Sequence, residues 1–96
     1  MAIRQVITFR VQPGGGPQFI AGFAPIIEKV RKEPGCQQYE LFVAQESPDT
    51  LVMLERWESQ AALEAALARL YPGPDDPSIA FLQLLEGRPE QERYEL

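Results

Sequence analysis

The chain contains no histidine and no asparagine. Without histidine, one chain cannot assemble a Ser-His-Asp triad, a histidine-ligated zinc or a histidine-ligated haem. Cysteine occurs once, at Cys36. That rules out an internal disulfide and a thiolate metal site, and no metal or other cofactor is expected. A lone thiol fits a reducing compartment. No apolar run approaches membrane-spanning length, and the N-terminus opens on a strand pattern rather than a signal peptide. The expectation is a cytoplasmic protein with no membrane partner. Basic residues are few and scattered, nine against fourteen acidic ones, for a net charge of −5. Nucleic acid is not expected as a partner, because phosphate binding needs a basic face.

What remains is 96 residues of ordinary apolar content, 45%. The length gives one domain, residues 1–96, with a core small enough that association would help it. The stretch Leu51–Leu70, LVMLERWESQAALEAALARL, sets the pattern. Leu51–Trp57 reads as a strand with apolar residues on both faces. Leu51, Met53, Glu55 and Trp57 share one face; Val52, Leu54 and Arg56 share the other. Ser59 is a good N-cap. Leu63, Ala66, Leu67 and Leu70 then form the stripe of a helix over Gln60–Tyr71.

Upstream, Ile3–Val11 alternates as a strand, and Gln12–Gly16 breaks it. Phe19, Ile20, Phe23, Ile26, Ile27 and Val30 follow helical spacing to about Glu33. Gly22 and Pro25 conflict with that helix, so a kink or loosened turn is predicted at Ala21–Pro25. Cys36–Ala44 is a second strand, with Tyr39, Leu41 and Val43 opposite Gln38, Glu40 and Phe42. Gln45–Thr50, carrying Ser47-Pro48-Asp49, reads as a hairpin connection. Asp76 caps and Pro77 opens a short helix to Leu85, with Gly87 as its stop. Arg88–Leu96 is a last strand, at an edge or added to a partner.

The order β-α-β-β-α-(α)-β predicts an α+β, ferredoxin-like fold with a four-stranded antiparallel sheet. Two helices cover one face of such a sheet. The strands offer apolar residues on the other face as well, so a homodimer with its sheets face to face is expected.

Several segments resemble the antibiotic biosynthesis monooxygenase (ABM) family of the dimeric α+β barrel superfamily. They are the leading strand running into Pro13-Gly14, Val30-Arg31-Lys32-Glu33-Pro34-Gly35-Cys36, Tyr39-Glu40-Leu41-Phe42, Leu54-Glu55-Arg56-Trp57-Glu58-Ser59 before Ala62-Leu63, and the closing Tyr94-Glu95. The resemblance spans nearly the whole chain. It implies a ferredoxin-like protomer, a dimeric barrel and a pocket between sheet and helices. In characterised members such pockets oxidise aromatic phenols with molecular oxygen and no cofactor, while relatives degrade haem or act on small signalling molecules. Trp57 matches the family tryptophan. The histidine usual in or after the second long helix is replaced by Ala65–Tyr71, and the asparagine of the quinone-forming and haem-degrading members is missing, which argues against the haem branch.

The candidate catalytic residues are Trp57, Tyr39 and Glu55. Trp57 either fills core or orients an aromatic ligand with its indole. Tyr39 either finds an ordinary partner or donates to a phenolate. Glu55 either pairs with a cation or serves as a base once desolvated. Phe42, Met53 and Leu51 are candidates for an apolar pocket lining. Arg56 is expected at the surface or rim, and Cys36 as a small buried hydrophobe. Three functions stay open: a cofactor-independent monooxygenase on a small phenolic or quinol-type aromatic, a non-catalytic ligand-binding or stress-associated dimer, and an isomerase using Glu55.

Overall fold

The computed structural model describes every residue, Met1–Leu96. Its elements are β1 (Ile3–Arg10), α1 (Gly16–Arg31), β2 (Cys36–Ala44), β3 (Ser47–Trp57), α2 (Gln60–Leu70), a 3-10 helix (Pro77–Leu84) and β4 (Glu90–Glu95). The four strands form one antiparallel sheet in the order β2-β3-β1-β4. This is the expected ferredoxin-like α+β arrangement. The C-terminal strand pairs with β1 of its own chain, and Leu96 N–H donates to the Ala2 carbonyl.

Register explains the core. Ile3, Gln5, Ile7 and Phe9 of β1 lie opposite Trp57, Glu55, Met53 and Leu51 of β3, so these eight side chains share one face. α1 lays Phe19, Phe23, Ile27 and Val30 against that face, and α2 adds Leu63 and Ala66. Phe9, Phe19, Phe23 and Phe81 pack edge-on or tilted with ring centroids 5.1–5.8 Å apart, the geometry that aromatic quadrupoles prefer. The other face carries Val6, Thr8, Val52 and Leu54, each half-buried, and Phe42, which is 46% exposed.

Several local expectations are revised. The helix runs unbroken through Pro25 from Gly16 to Arg31, because the apolar stripe is buried on both sides of the proline. Gly22 has a packing reason: a Cβ there would lie 2.4 Å from Cβ of Phe81. The conflict seen at Gly22 is therefore what lets the 3-10 helix press against α1.

The connection after β2 is shorter than expected. The turn is Gln45-Glu46, and β3 begins at Ser47. A shift in register accommodates Pro48, since Val43 faces Leu51 while Ala44 already faces Ser47. The Asp49 carbonyl accepts from Val11 N–H, so this segment also extends the edge of β1.

In α2, Leu67 points outward at 55% exposure, and the buried stripe is Leu63 and Ala66 with half-buried Leu70. The Ser59 hydroxyl accepts from Ala62 N–H at 3.1 Å, and Asp76 caps the 3-10 helix through Ser78 N–H at 2.8 Å. Gly35 is fixed twice: its φ is +84°, and a Cβ would sit 2.6 Å from Cβ of Ala62.

Candidate functional site

A polar row crosses the apolar helix-side face. Arg93 of β4 is opposite Gln5 of β1, Gln5 is opposite Glu55 of β3, and Glu55 is opposite Tyr39 of β2. Antiparallel pairing places all four side chains side by side on one face. Gln5 and Glu55 are the only polar residues among the buried set, at 4% and 2% exposure.

Both oxygens of the Glu55 carboxylate are engaged. Gln5 Nε2 donates to Oε2 at 2.9 Å, and the Trp57 indole N–H donates to Oε1 at 2.9 Å. The Gln5 carbonyl in turn accepts from Arg93 Nε at 2.9 Å, Arg93 Nη2 at 2.7 Å and Gln91 Nε2 at 2.9 Å. Every buried side-chain polar atom in the molecule has a partner.

Burial is the largest influence on the Glu55 carboxyl and pushes it above the ordinary carboxylate range. The Gln5 and Trp57 donors, then the charge of Arg93, pull it partway back. Sequestering an ion costs several kcal/mol, while each hydrogen bond to a charged group returns about 1.5–3.

Burial also raises the Tyr39 phenol, with help from the Glu55 charge and Cys36. Tyr39 therefore stays protonated at physiological pH, able to donate a hydrogen bond but not to act as a base. Its ring meets Phe23 nearly edge-on, with centroids 6.4 Å apart. Together with Arg31, Cys36, Gln37, Gln38 and Glu40, Tyr39 lines a shallow concavity of about 380 Å³.

The sequence candidates thus separate. Trp57, Glu55 and Tyr39 come together, as alternation along the strands implies. Glu55 meets an amide and an indole where a cation was the alternative; Arg93 reaches it only through Gln5. Leu51 and Met53 share their face but expose no surface, because the aromatic core closes over them. Phe42 lies on the opposite face of the sheet, so these three residues do not form one lining. Arg56 is on that opposite face too, where its Nε donates to Gln37 Oε1 at 2.9 Å. Cys36 is half-buried beside Tyr39 rather than sealed, and burial raises its thiol.

Gln5 and Arg93 were not singled out from the sequence. One signal for Gln5 was available: it is the one polar residue between Ile3 and Ile7 on an otherwise apolar face. Arg93 carried no such signal, because its strand is exposed throughout. No group of three or more histidine, cysteine, aspartate or glutamate residues converges as a metal site, and no helix is long and apolar enough to cross a membrane.

Comparison with known proteins adds to this geometry. The Escherichia coli (strain K12) protein named "Probable quinol monooxygenase YgiN" is 43% identical over 53 residues, which cover 47% of this chain and 51% of that one. The Bacillus subtilis (strain 168) protein named "Putative monooxygenase YcnE" is 33% identical over 55 residues, 57% of this chain and 58% of that one. The chain thus spans little more than half the length of these relatives. A crystal structure of a conserved protein from Methanosarcina mazei Go1 superposes with a TM-score of 0.81 at 26% identity, covering 98% of this chain and 91% of that one. The family model for antibiotic biosynthesis monooxygenase matches residues 2–71, from the start of the sheet through α2, and the chain belongs to that family.

Proposed function

We propose that this protein is a cofactor-independent monooxygenase that oxidises a small phenolic or quinol-type aromatic and works as a homodimer in the cytoplasm. The observation that carries this reading is the convergence of Tyr39, Glu55 and Trp57 on one face, with Tyr39 reaching the surface concavity. The quinol monooxygenase name of the Escherichia coli relative supports the substrate class. The apolar open face of the sheet supports a second copy as its cover.

Such chemistry needs little from a protein. The substrate gives up a proton, and its anion passes an electron to molecular oxygen. The two radicals join at a ring carbon bearing hydrogen, and the peroxide so formed takes back the proton the substrate gave up. Loss of water from the resulting hydroperoxide leaves a carbonyl, so one oxygen atom enters the product and the other leaves as water. The Tyr39 hydroxyl is suited to donate to the substrate oxyanion, and apolar surroundings strengthen that bond. Glu55 is the one buried group able to take a proton.

Oxygen-electrode measurements with a panel of hydroquinones and anthrone-like compounds test this. The expected result is oxygen uptake matched by quinone formation, reduced at least tenfold by Tyr39→Phe. A second reading is favoured by the sealing of Trp57 and Glu55, at 1% and 2% exposure: a dimer that binds a small ligand without turning it over. Saturable binding with no oxygen uptake across the panel would decide for it.

A further inference from the structure

Gln5 sits between a cation that can only donate and an anion that can only accept. A glutamine amide has one face of each kind, and two orientations are open to it in principle. Arg93 removes the choice. Its guanidinium sends two N–H groups to the Gln5 carbonyl, at 2.9 and 2.7 Å, and has no acceptor to offer a flipped amide. Gln91 donates to the same oxygen at 2.9 Å, but its own amide can rotate and adapt, so it cannot fix the orientation alone. The Gln5 NH2 group must therefore face Glu55.

The consequence falls on the carboxyl. The Trp57 indole offers only an N–H to Oε1. With Gln5 held, both carboxyl oxygens face donors, and neither Gln5 nor Trp57 offers an acceptor to a proton on Glu55. The two donors therefore suit the anion better than the acid. Were Gln5 free to turn, its carbonyl would accept a proton from a neutral Glu55, and burial would favour that state.

We infer that Arg93, from the edge strand β4, is a positioning residue that locks the Gln5 amide and thereby favours the anionic form of Glu55 against the opposing effect of burial. This inference goes beyond the oxygenase reading and does not need it, since it concerns the resting protein. The titratable or charged groups around Glu55 are Arg93 on β4, Tyr39 and Cys36 on β2; β1 contributes the neutral Gln5. The pull of Arg93 on the carboxyl acts in the required direction.

The test uses the full chain. Trp57 is the only tryptophan, so its indole N–H gives one resolved NMR cross-peak that reports the ionisation of Glu55 through their hydrogen bond. Its pH midpoint is followed in the wild type, Arg93→Met, Arg93→Lys, Gln5→Met and the double variant Gln5→Met/Arg93→Met, with Arg88→Met as a charge-matched control. Arg93→Met is expected to raise the midpoint by about one pH unit or more, a tenfold gain in proton affinity. Arg93→Lys, which donates but does not fork, restores part of it, and Arg88→Met leaves it in place. In the Gln5→Met background, Arg93→Met is expected to shift the midpoint clearly less than it does in the wild type, leaving only the direct effect of its charge. An unmoved midpoint in folded Arg93→Met overturns the inference. So does an Arg93 effect that persists undiminished without Gln5, which would make Arg93 a distant charge only. If a single variant loses its fold by circular dichroism, Arg93→Lys and Gln5→Met still decide: equal midpoints in wild type, Arg93→Lys and Gln5→Met reject it.

Discussion

The two faces of the sheet use the same strands for opposite purposes. On the helix side, Leu51, Met53, Glu55 and Trp57 are buried to 2% exposure or less. One residue along, Val52, Leu54 and Arg56 stand on the open side, half-exposed and met by no helix. Strand alternation alone separates the two sets. The helix side tolerates a buried carboxylate because a row of partners was built across four strands. The open side carries its charged groups around the apolar centre, where Arg4 binds Gln38 at 2.6 Å and Arg10 binds Glu90 at 2.6 Å. Polar groups are thus costly on one face and cheap on the other.

The largest contrast should appear between neighbours. Leu51→Ala opens a cavity in the aromatic core and is expected to cost about 2–5 kcal/mol. Val52→Ala, on the half-exposed side, should cost under about 1 kcal/mol, since little buried surface is lost. Urea unfolding of both variants checks this, and similar losses would mean that the open face is as well packed as the closed one.

The next effect concerns association. Leu54→Lys places a charge at the centre of the open face and should leave the protomer folded, because no helix packs over that side and the long lysine chain can reach water. If that face meets a second copy, the dimer dissociation constant rises at least tenfold, by about 1.4 kcal/mol or more. Sedimentation equilibrium measures it; a wild-type chain that is already monomeric at micromolar concentration would break the comparison outright.

The smallest effect is pH-dependent. Glu55 has its carboxyl raised in the folded state, so folding favours the protonated form. Its stabilising share is complete below the ordinary carboxylate range and is lost as pH rises through the higher folded value. Glu55→Gln removes that dependence. The stability of wild type relative to this variant should therefore fall as pH rises from the ordinary carboxylate range through the higher folded value. A difference that grows with pH would reverse the sign argued for burial.

Much of this was legible in the chain. Helix spacing from Phe19 to Val30, the caps at Ser59 and Asp76, and alternation along β1 and β3 gave the element order and hence the fold. The same alternation put Glu55 and Trp57 on one face. What escaped was tertiary. Gly22 reads as a weak helix residue until Phe81 is placed against it, and Ser47-Pro48-Asp49 reads as a turn until the register shift is known. Arg93 shows no periodic signal at all; only pairing across β1 brings it to Gln5. Hydrophobicity groups Phe42 with Leu51 and Met53, but parity along β2 assigns it to the other side.

The contact between Gly35 and Ala62 bears on how anything reaches Trp57. Around it the start of α2 is pinned to the corner between α1 and β2, because Glu58 N–H also donates to the Gly35 carbonyl at 2.8 Å. The far end is tethered by Arg69 to Glu33 at 2.8 Å, an ion pair that water can replace, before the chain leaves through Pro72-Gly73-Pro74. The cover over Trp57 is thus fastened more firmly at Ser59 than at Arg69: backbone contacts hold one end, and a partly exposed ion pair holds the other.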